Sequence, residues 1–484
     1  MNYRPSKGFV LAVLPLAVLV ISLGFGLLPE LKEFEVRPIP GEITFSNAKP
    51  QISHTTTDSA RESASLGWSM NWFEEGYENL MKWEYNPWKT KFPNYGDHYN
   101  NLVTSKNPLD IARAKELRRL ADVLHKRLLE RYPELAVAHK NVSPERNGFL
   151  KWLELAERLC PPDQGTDFPP NLKFPEDLKK HFNGDGPWNA EAAKAWLGQL
   201  KPLVDEIRAI GLMPEQSIEG IDVHRWAFIN ARLVKVGSEA LLIEARLAAE
   251  NGEVAAALEA IQASNGLAAH MANVETPSLL AITVQILVNM QTQRYAFAEI
   301  MPALPPGGLD PVAWEKALNP TVPRPDEFAR IMKGEWNVVS REYLLPPLVD
   351  AEDPKSPPDP DALLDVYAGY FINVVQAHEG RSIPDWPNIP ESGAPDISHL
   401  SRRSQKVLEN FFIGARAWRN GMQRSLSAAA MTQAAFAIMK GQPIPNDPIY
   451  GQPYVWDPAT RKLSQPTSEV FQKLDLKPIT VPQP

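Results

Sequence analysis

The chain has 484 residues, of which 44% are hydrophobic and 22% are charged, and its formal net charge is −8. This composition is typical of a folded protein with enough apolar side chains for one or two hydrophobic cores. A surface that binds nucleic acid needs clustered Lys and Arg, so the acidic balance argues against a nucleic-acid partner. The single cysteine, Cys160, excludes an internal disulfide and a lipid-modified N-terminal cysteine.

The first feature along the chain is an uninterrupted apolar run from Gly8 to Leu28, preceded by Arg4 and Lys7. As a helix, a run of this length rises about 31 Å, which matches the hydrocarbon thickness of a bilayer. A cleaved signal peptide is the alternative, but its apolar region is usually only ~7 to 15 residues and ends in a small-x-small site, which this run lacks. The sequence therefore predicts a single transmembrane anchor at 8–28.

Basic residues do not decide the orientation of this anchor. Arg4 and Lys7 precede the run and Lys32 and Arg37 follow it, so the positive-inside rule gives a tie. A short tail followed by a long exported domain is the arrangement of a signal-anchor in a bacterial-type membrane. We therefore expect residues 1–7 in the cytoplasm, one span of the inner membrane, and the C-terminal domain outside the cytoplasm.

Residues 29–66 contain prolines and then a polar stretch, and we interpret them as a spacer that lifts the following domain off the bilayer. The segment 67–99, called here the aromatic-rich segment, holds ten aromatic residues, and no other part of the chain is so aromatic. Its candidate binding residues are Trp68, Trp72, Tyr77, Trp83 and Trp88.

Three interpretations of the aromatic-rich segment stay open. A Trp ring offers a flat apolar face with a hydrogen-bond donor at its edge, so the segment could stack on sugar rings or on side chains of a partner. Trp and Tyr are also favoured at the membrane interface. In the third interpretation the rings pack against the edge of a helical core, because aromatic residues dominate cores as well as interfaces.

From 67 to 440 the pattern predicts an all-α domain of irregular helices joined by long proline-rich loops. Helix starts are predicted at Asn107-Pro108, Ser143-Pro144, Asn189 and Thr276-Pro277. The third helix should bend or break at Pro202, and the fourth, over 279–290, should be buried on most sides. Two later helices are predicted at 362–378 and 404–440, the second as a central element of the core.

A repeat-like signal lies within 221–265. An Ala-rich helix stops at Asn251-Gly252, and a second helix should end at Asn265-Gly266. This hairpin resembles the helix-turn-helix unit of tetratricopeptide repeats, in which small residues let two helices approach closely. The resemblance implies a solenoid-like array, but no second copy follows at the 34-residue period of that family. An array and an irregular helical domain both stay open.

Residues 441–484 form a proline-rich C-terminal tail. Two short strands are predicted there at 454–457 and 462–464, joined by a turn at 458–461.

The sequence has no nucleophile elbow, phosphate loop or dinucleotide-binding glycine pattern, and its nine histidines are scattered without metal-ligand spacing. We therefore expect no cofactor and no metal. The leading hypothesis is a binding or scaffolding protein whose partner is another envelope protein. The carboxylates of Glu74 and Glu75 beside the Trp residues leave an alternative, an envelope hydrolase that acts on a polysaccharide or peptidoglycan and binds a glycan.

Overall fold

The computed structural model describes residues 96–483 except for 161–173, 227–230, 319–326, 351–352, 354–355, 382–384, 387–388, 390–394, 412–414, 469–470 and 472–475. The predicted anchor 8–28, the spacer 29–66 and the five candidate aromatic residues lie outside this part of the chain. Within it, no helix is both long enough and apolar enough to cross a bilayer.

The described chain is mostly α-helical, which confirms the all-α part of the predicted fold class. The helices are α1 (Asp97–Thr104), α2 (Pro108–Arg131), α3 (Gly148–Leu159), α4 (Glu176–Asn183), α5 (Ala190–Gly211), α6 (Val223–Trp226), α7 (Ala231–Glu250), α8 (Val254–Ala272), α9 (Leu279–Tyr295), α10 (Pro311–Leu318), α11 (Glu327–Val339), α12 (Leu345–Leu348), α13 (Pro360–His378), α14 (Arg402–Phe411) and α15 (Ala415–Met439). Two π-helices, Ala296–Ile300 and Ser340–Leu344, continue α9 and α11 without a break.

Polar caps explain where several helices begin. The side chains of Asn107, Asn189 and Ser278 each accept a hydrogen bond from a backbone N–H in the first turn of α2, α5 and α9. The first two caps are the predicted ones. Local sequence therefore decides these helix starts.

The predicted helix start at Ser143-Pro144 is wrong, because α3 begins at Gly148 behind the cap Asn147. The Asn147 side chain accepts a hydrogen bond from Leu150 N and also exchanges two hydrogen bonds with the backbone of Ser217. A contact with a residue distant in sequence thus helps to fix this cap.

The predicted end of the second hairpin helix at Asn265-Gly266 is also wrong, since α8 continues to Ala272. The Asn265 side chain donates to the carbonyl groups of Ala317 and Leu318 at the end of α10. Gly266 lies where the backbones of α8 and α5 meet. Asn265 and Gly266, which the sequence pattern indicates as a helix stop, therefore lie within α8 and contact α10 and α5.

Two further predictions need correction or refinement. α5 runs through Pro202 to Gly211, so this proline does not break the helix. The region predicted as one helix over 404–440 contains α14 and α15, which flank residues 412–414. From Gly421 onward nearly all side chains of α15 are buried or half-buried, which agrees with its predicted central position.

The helices build two hydrophobic cores that share α9. The first core contains residues of α3, α4, α5, α7, α8 and α10, and the second contains residues of α1, α2, α11 and α13. Along α9, Val284 and Val288 face the first core, whereas Ile282 and Ile286 face the second. The predicted burial of 279–290 is confirmed, because α9 lies between the two cores and contributes buried side chains to both. α15 reaches both cores along its length.

The predicted hairpin near the C-terminus is present as β1 (Val455–Asp457) and β2 (Lys462–Ser464), which pair antiparallel. A third strand that the sequence pattern does not predict, β3 (Ile479–Thr480), pairs with the other edge of β2. Arg461 adopts a left-handed backbone conformation in the turn and donates to the carbonyl groups of Val481 and Pro482. These bonds fix the end of the chain to the hairpin.

Gly266→Ala is expected to lower the free energy of unfolding by about 3 kcal/mol, because a Cβ there would overlap the carbonyl oxygen of Gly211 and force α8 away from α5. Gly198→Ala on the exposed side of α5 is the matched control, since open space surrounds that position. The control should gain about 0.5–1 kcal/mol from helix propensity. Urea unfolding measures both variants, and equal stabilities would contradict the close helix contact.

Candidate functional site

The aromatic-rich segment meets the described fold at α1. Of its ten aromatic residues, Tyr99 is the one in the described part of the chain, and its side chain is 2% exposed within the second core. The Tyr99 hydroxyl accepts a hydrogen bond from Arg118 Nε at 2.8 Å. Tyr99 therefore packs in the core, as the third interpretation expects. The candidates Trp68, Trp72, Tyr77, Trp83 and Trp88 lie outside the described residues, so their role stays a prediction.

A buried charge cluster holds α1 to α2 and to the chain that follows α12. Asp350 is fully buried and accepts a hydrogen bond from Arg113 Nη2 of α2 at 2.8 Å. His98 of α1 approaches the other carboxylate oxygen of Asp350, with Nδ1 at 2.5 Å. The Arg113 side chain is 8% exposed and that of His98 is 33% exposed. Arg113 thus balances the buried charge, and His98 covers the cluster on the side of the solvent.

The second π-helix brings a serine and a histidine together beside α2. Ser340 Oγ lies 3.0 Å from His125 Nδ1, which is the spacing of a nucleophile and its base. Both side chains are buried in the second core, and burial lowers the pKa of His125 to about 3, so the ring is neutral. Because neither group is accessible to a substrate, we interpret the pair as a structural hydrogen bond.

A histidine also supports the first π-helix. His181 of α4 lies with Nε2 3.1 Å from the Tyr295 hydroxyl and 3.6 Å from a Glu299 carboxylate oxygen. Burial, helped by the charge of Glu299, raises the pKa of Tyr295, so the phenol stays neutral and can donate. Each π-helix is therefore held by a histidine from a different helix. The His181–Tyr295 and His125–Ser340 pairs are separated by 114 and 215 residues, so no local signal in the sequence predicts them.

An open groove of about 340 Å³ lies between α3 and α5 on the described surface. Its apolar lining includes Leu155 and Ile210, both of which are nearly covered by their neighbours. Across the groove, Arg158 forms an ion pair with Glu206. A ligand site usually has a deep apolar cavity with a few convergent polar groups. This groove has an ion pair across its opening, so we do not assign it a ligand.

Buried carboxylates in the fold serve as hydrogen-bond acceptors for the backbone and for hydroxyl groups. Glu275 accepts from Ser217 Oγ, Ile218 N and Lys140 N. Burial acts to raise the pKa of Glu275, but these hydrogen bonds outweigh it and the pKa is lowered. In the described ranges, no group of three His, Cys, Asp or Glu side chains could hold a metal ion.

Asp350→Asn is expected to lower the free energy of unfolding by about 3–5 kcal/mol, because it removes the buried carboxylate charge that lies 2.8 Å from the buried Arg113 guanidinium. Glu116→Gln, which breaks an exposed ion pair with Arg119 on the same helix as Arg113, is the matched control and should cost at most about 1 kcal/mol. Urea unfolding distinguishes the two. Similar losses in both variants would contradict the role of Asp350 in holding α1.

No protein-family model matches this chain, and neither a curated protein nor a solved structure matches it. The resemblance of the α7–α8 hairpin to tetratricopeptide units stays a prediction. The residues of the chain and their contacts are therefore the basis for any functional conclusion.

Proposed function

We propose that this chain is a membrane-anchored binding or scaffolding protein of the cell envelope. The observation that carries the proposal is the uncharged run 8–28, which has the length of one membrane span and follows a short basic tail. The anchor crosses the inner membrane once. The helical domain lies outside the cytoplasm, with residues 29–66 as the spacer.

Several buried carboxylates of the helical body accept hydrogen bonds from side chains inside the fold. This observation supports a binding role more than a catalytic one. Asp350 pairs with Arg113, Asp365 accepts from Tyr132 and Arg131, and Glu275 has three donors. These groups join helices that are far apart in sequence. A catalytic carboxylate needs contact with substrate, whereas these are held inside the body. A helical domain held together by these internal contacts can act as a scaffold that positions a partner.

The aromatic-rich segment is the proposed contact with that partner. Trp and Tyr are enriched at protein interfaces, where they often dominate the binding free energy. Tyr99 and His98 fix the end of this segment to the second core through α1. A partner bound by Trp72, Trp83 and Trp88 is therefore tethered to the helical body. We propose that the partner is another envelope protein.

An envelope hydrolase is the second candidate, because Glu74 and Glu75 follow Trp72 by two and three residues within the aromatic-rich segment. Glycoside hydrolases use two carboxyl groups about 5–10 Å apart, and sugar rings stack well on Trp. The substrate would be a polysaccharide or peptidoglycan. This candidate needs no cofactor.

The test is affinity purification of the tagged full-length protein from gently solubilised native membranes, followed by mass spectrometry. We expect one stoichiometric envelope protein with the wild type and at least about a tenfold lower yield with a Trp72, Trp83 and Trp88 to Ala triple variant, since hot-spot residues of this type contribute more than ~1.4 kcal/mol. The Trp→Phe triple variant is the matched control, because it keeps the apolar rings and should retain most of the partner.

Two results would contradict the proposal. Recovery of the protein in the soluble fraction, without detergent, would exclude the anchor. Absence of a partner in all samples, together with release of sugars from envelope glycans by the purified protein, would favour the hydrolase.

A further inference from the structure

Arg461, in the turn between β1 and β2, binds a later segment of the chain through one edge of its guanidinium group. Nε donates to the carbonyl oxygen of Val481 at 2.7 Å, and Nη2 donates to that of Pro482 at 2.6 Å. The backbone carbonyl of Arg461 accepts a hydrogen bond from Val481 N at 2.9 Å. Residues 479–482, called here the bound segment, are therefore held by Arg461 where β3 ends.

The bound segment is held mainly through its backbone. Ile479 and Thr480 pair antiparallel with Leu463 and Lys462 of β2. Val481 is buried in the first core, whereas Thr480 is exposed and Ile479 is half-buried. Backbone pairing at a sheet edge, together with a pocket for a side chain, is a common way in which proteins bind an extended peptide.

The guanidinium edge formed by Nε and Nη2 is the one that binds a carboxylate through two hydrogen bonds. In this fold the same edge of Arg119 donates to both oxygens of Glu116, and that of Arg225 donates to both oxygens of Glu157. Such bidentate pairs are among the strong hydrogen-bonded contacts in proteins. Arg461 has two neutral carbonyl groups in that place, and within the described ranges it forms no ion pair.

The backbone of Arg461 also indicates that its side chain has a role. Its φ is 53°, in the left-handed region, and every other positive φ in the described part of the chain belongs to a glycine. Glycine and Asn adopt this conformation more readily than Arg does. Strained residues of this kind cluster at ligand clamps. The contacts of the guanidinium group therefore explain an arginine at this position better than the turn does.

We propose that Arg461, the edge of β2 and the pocket filled by Val481 form a binding site for the C-terminus of a partner protein that ends in a small β-branched residue. The partner's terminal carboxylate replaces the two carbonyl groups on Arg461, and its last side chain replaces that of Val481. The bound segment occupies this site within the same chain. The site is separate from the membrane anchor and the aromatic-rich segment, so this proposal goes beyond the proposed function, and its test needs neither a membrane nor the native partner.

A partner has to displace the bound segment, which is covalently attached to the site. Attachment gives such a segment an effective concentration of about millimolar. A terminal carboxylate offsets this advantage, because it forms a bidentate ion pair with Arg461 that the bound segment does not form. The site should therefore select a free C-terminus over an internal segment of the same sequence.

The test is fluorescence anisotropy with the full-length protein in detergent and a labelled peptide LKPITV, the sequence of residues 476–481. We expect the peptide with a free carboxylate to bind at least about tenfold more tightly than the same peptide with a C-terminal amide. Arg461→Asn tolerates the left-handed turn but lacks the guanidinium group, so both peptides should bind it equally weakly. Lys316→Gln, at an exposed position on α10, is the matched control and should keep the wild-type preference.

A variant that ends at Val481 gives a second measurement. Its own terminal carboxylate would pair with Arg461, so the free-acid peptide should bind this variant at least about tenfold more weakly than it binds the wild type. Equal or tighter binding to this variant would overturn the proposal. Equal affinity of the two peptides for the wild type, or binding of neither at about millimolar concentration, would also overturn it. These comparisons decide the question if Arg461→Asn does not fold.

Discussion

α9 has to be apolar on two sides at once, because it closes one hydrophobic core with Val284 and Val288 and the other with Ile282 and Ile286. An amphipathic surface helix needs one apolar stripe, whereas a helix between two cores needs apolar residues around most of its circumference. The run LLAITVQILVNM meets that requirement. The positions of α8, α11 and α15 follow from the need to cover this helix.

Burial of α9 also buries the loop that leads into it, and a buried loop has to find partners for its backbone groups. Arg330 donates to the carbonyl groups of Ala272 and Val274, while the side chains of Lys140 and Gln216 donate to that of Asn273. The charged side chains around this loop are therefore part of the fold. The buried carboxylate of Glu275 serves the same loop, because it accepts hydrogen bonds from Ser217, Ile218 and Lys140.

Structural features that depend on interactions within a few residues, such as helix caps and tight turns, were predictable from the sequence. Asn107 and Asn189 cap helices through their own first turns, and the strand pair around Pro458 forms over a short turn. Asn147 and Asn265 were not predictable, because their partners lie about 50 to 70 residues away.

The same distinction applies to the candidate site. Arg113 and Asp350 are separated by 237 residues, and His125 and Ser340 by 215, so neither pair has a local signature. The aromatic-rich segment was conspicuous from composition alone. Composition does not show which groups the Trp rings contact. The predicted membrane anchor likewise rests on the apolar run 8–28, which lies outside the described residues.

The most direct test of the central role of α9 is to measure hydrogen exchange across both cores in Val288→Ala and Ile282→Ala. Each substitution removes methyl groups from one core and should cost about 1–3 kcal/mol. If α9 joins the cores, either variant lowers the protection of α8 in the first core and of α13 in the second by similar factors. Loss of protection confined to the core that contains the substituted residue would contradict this account.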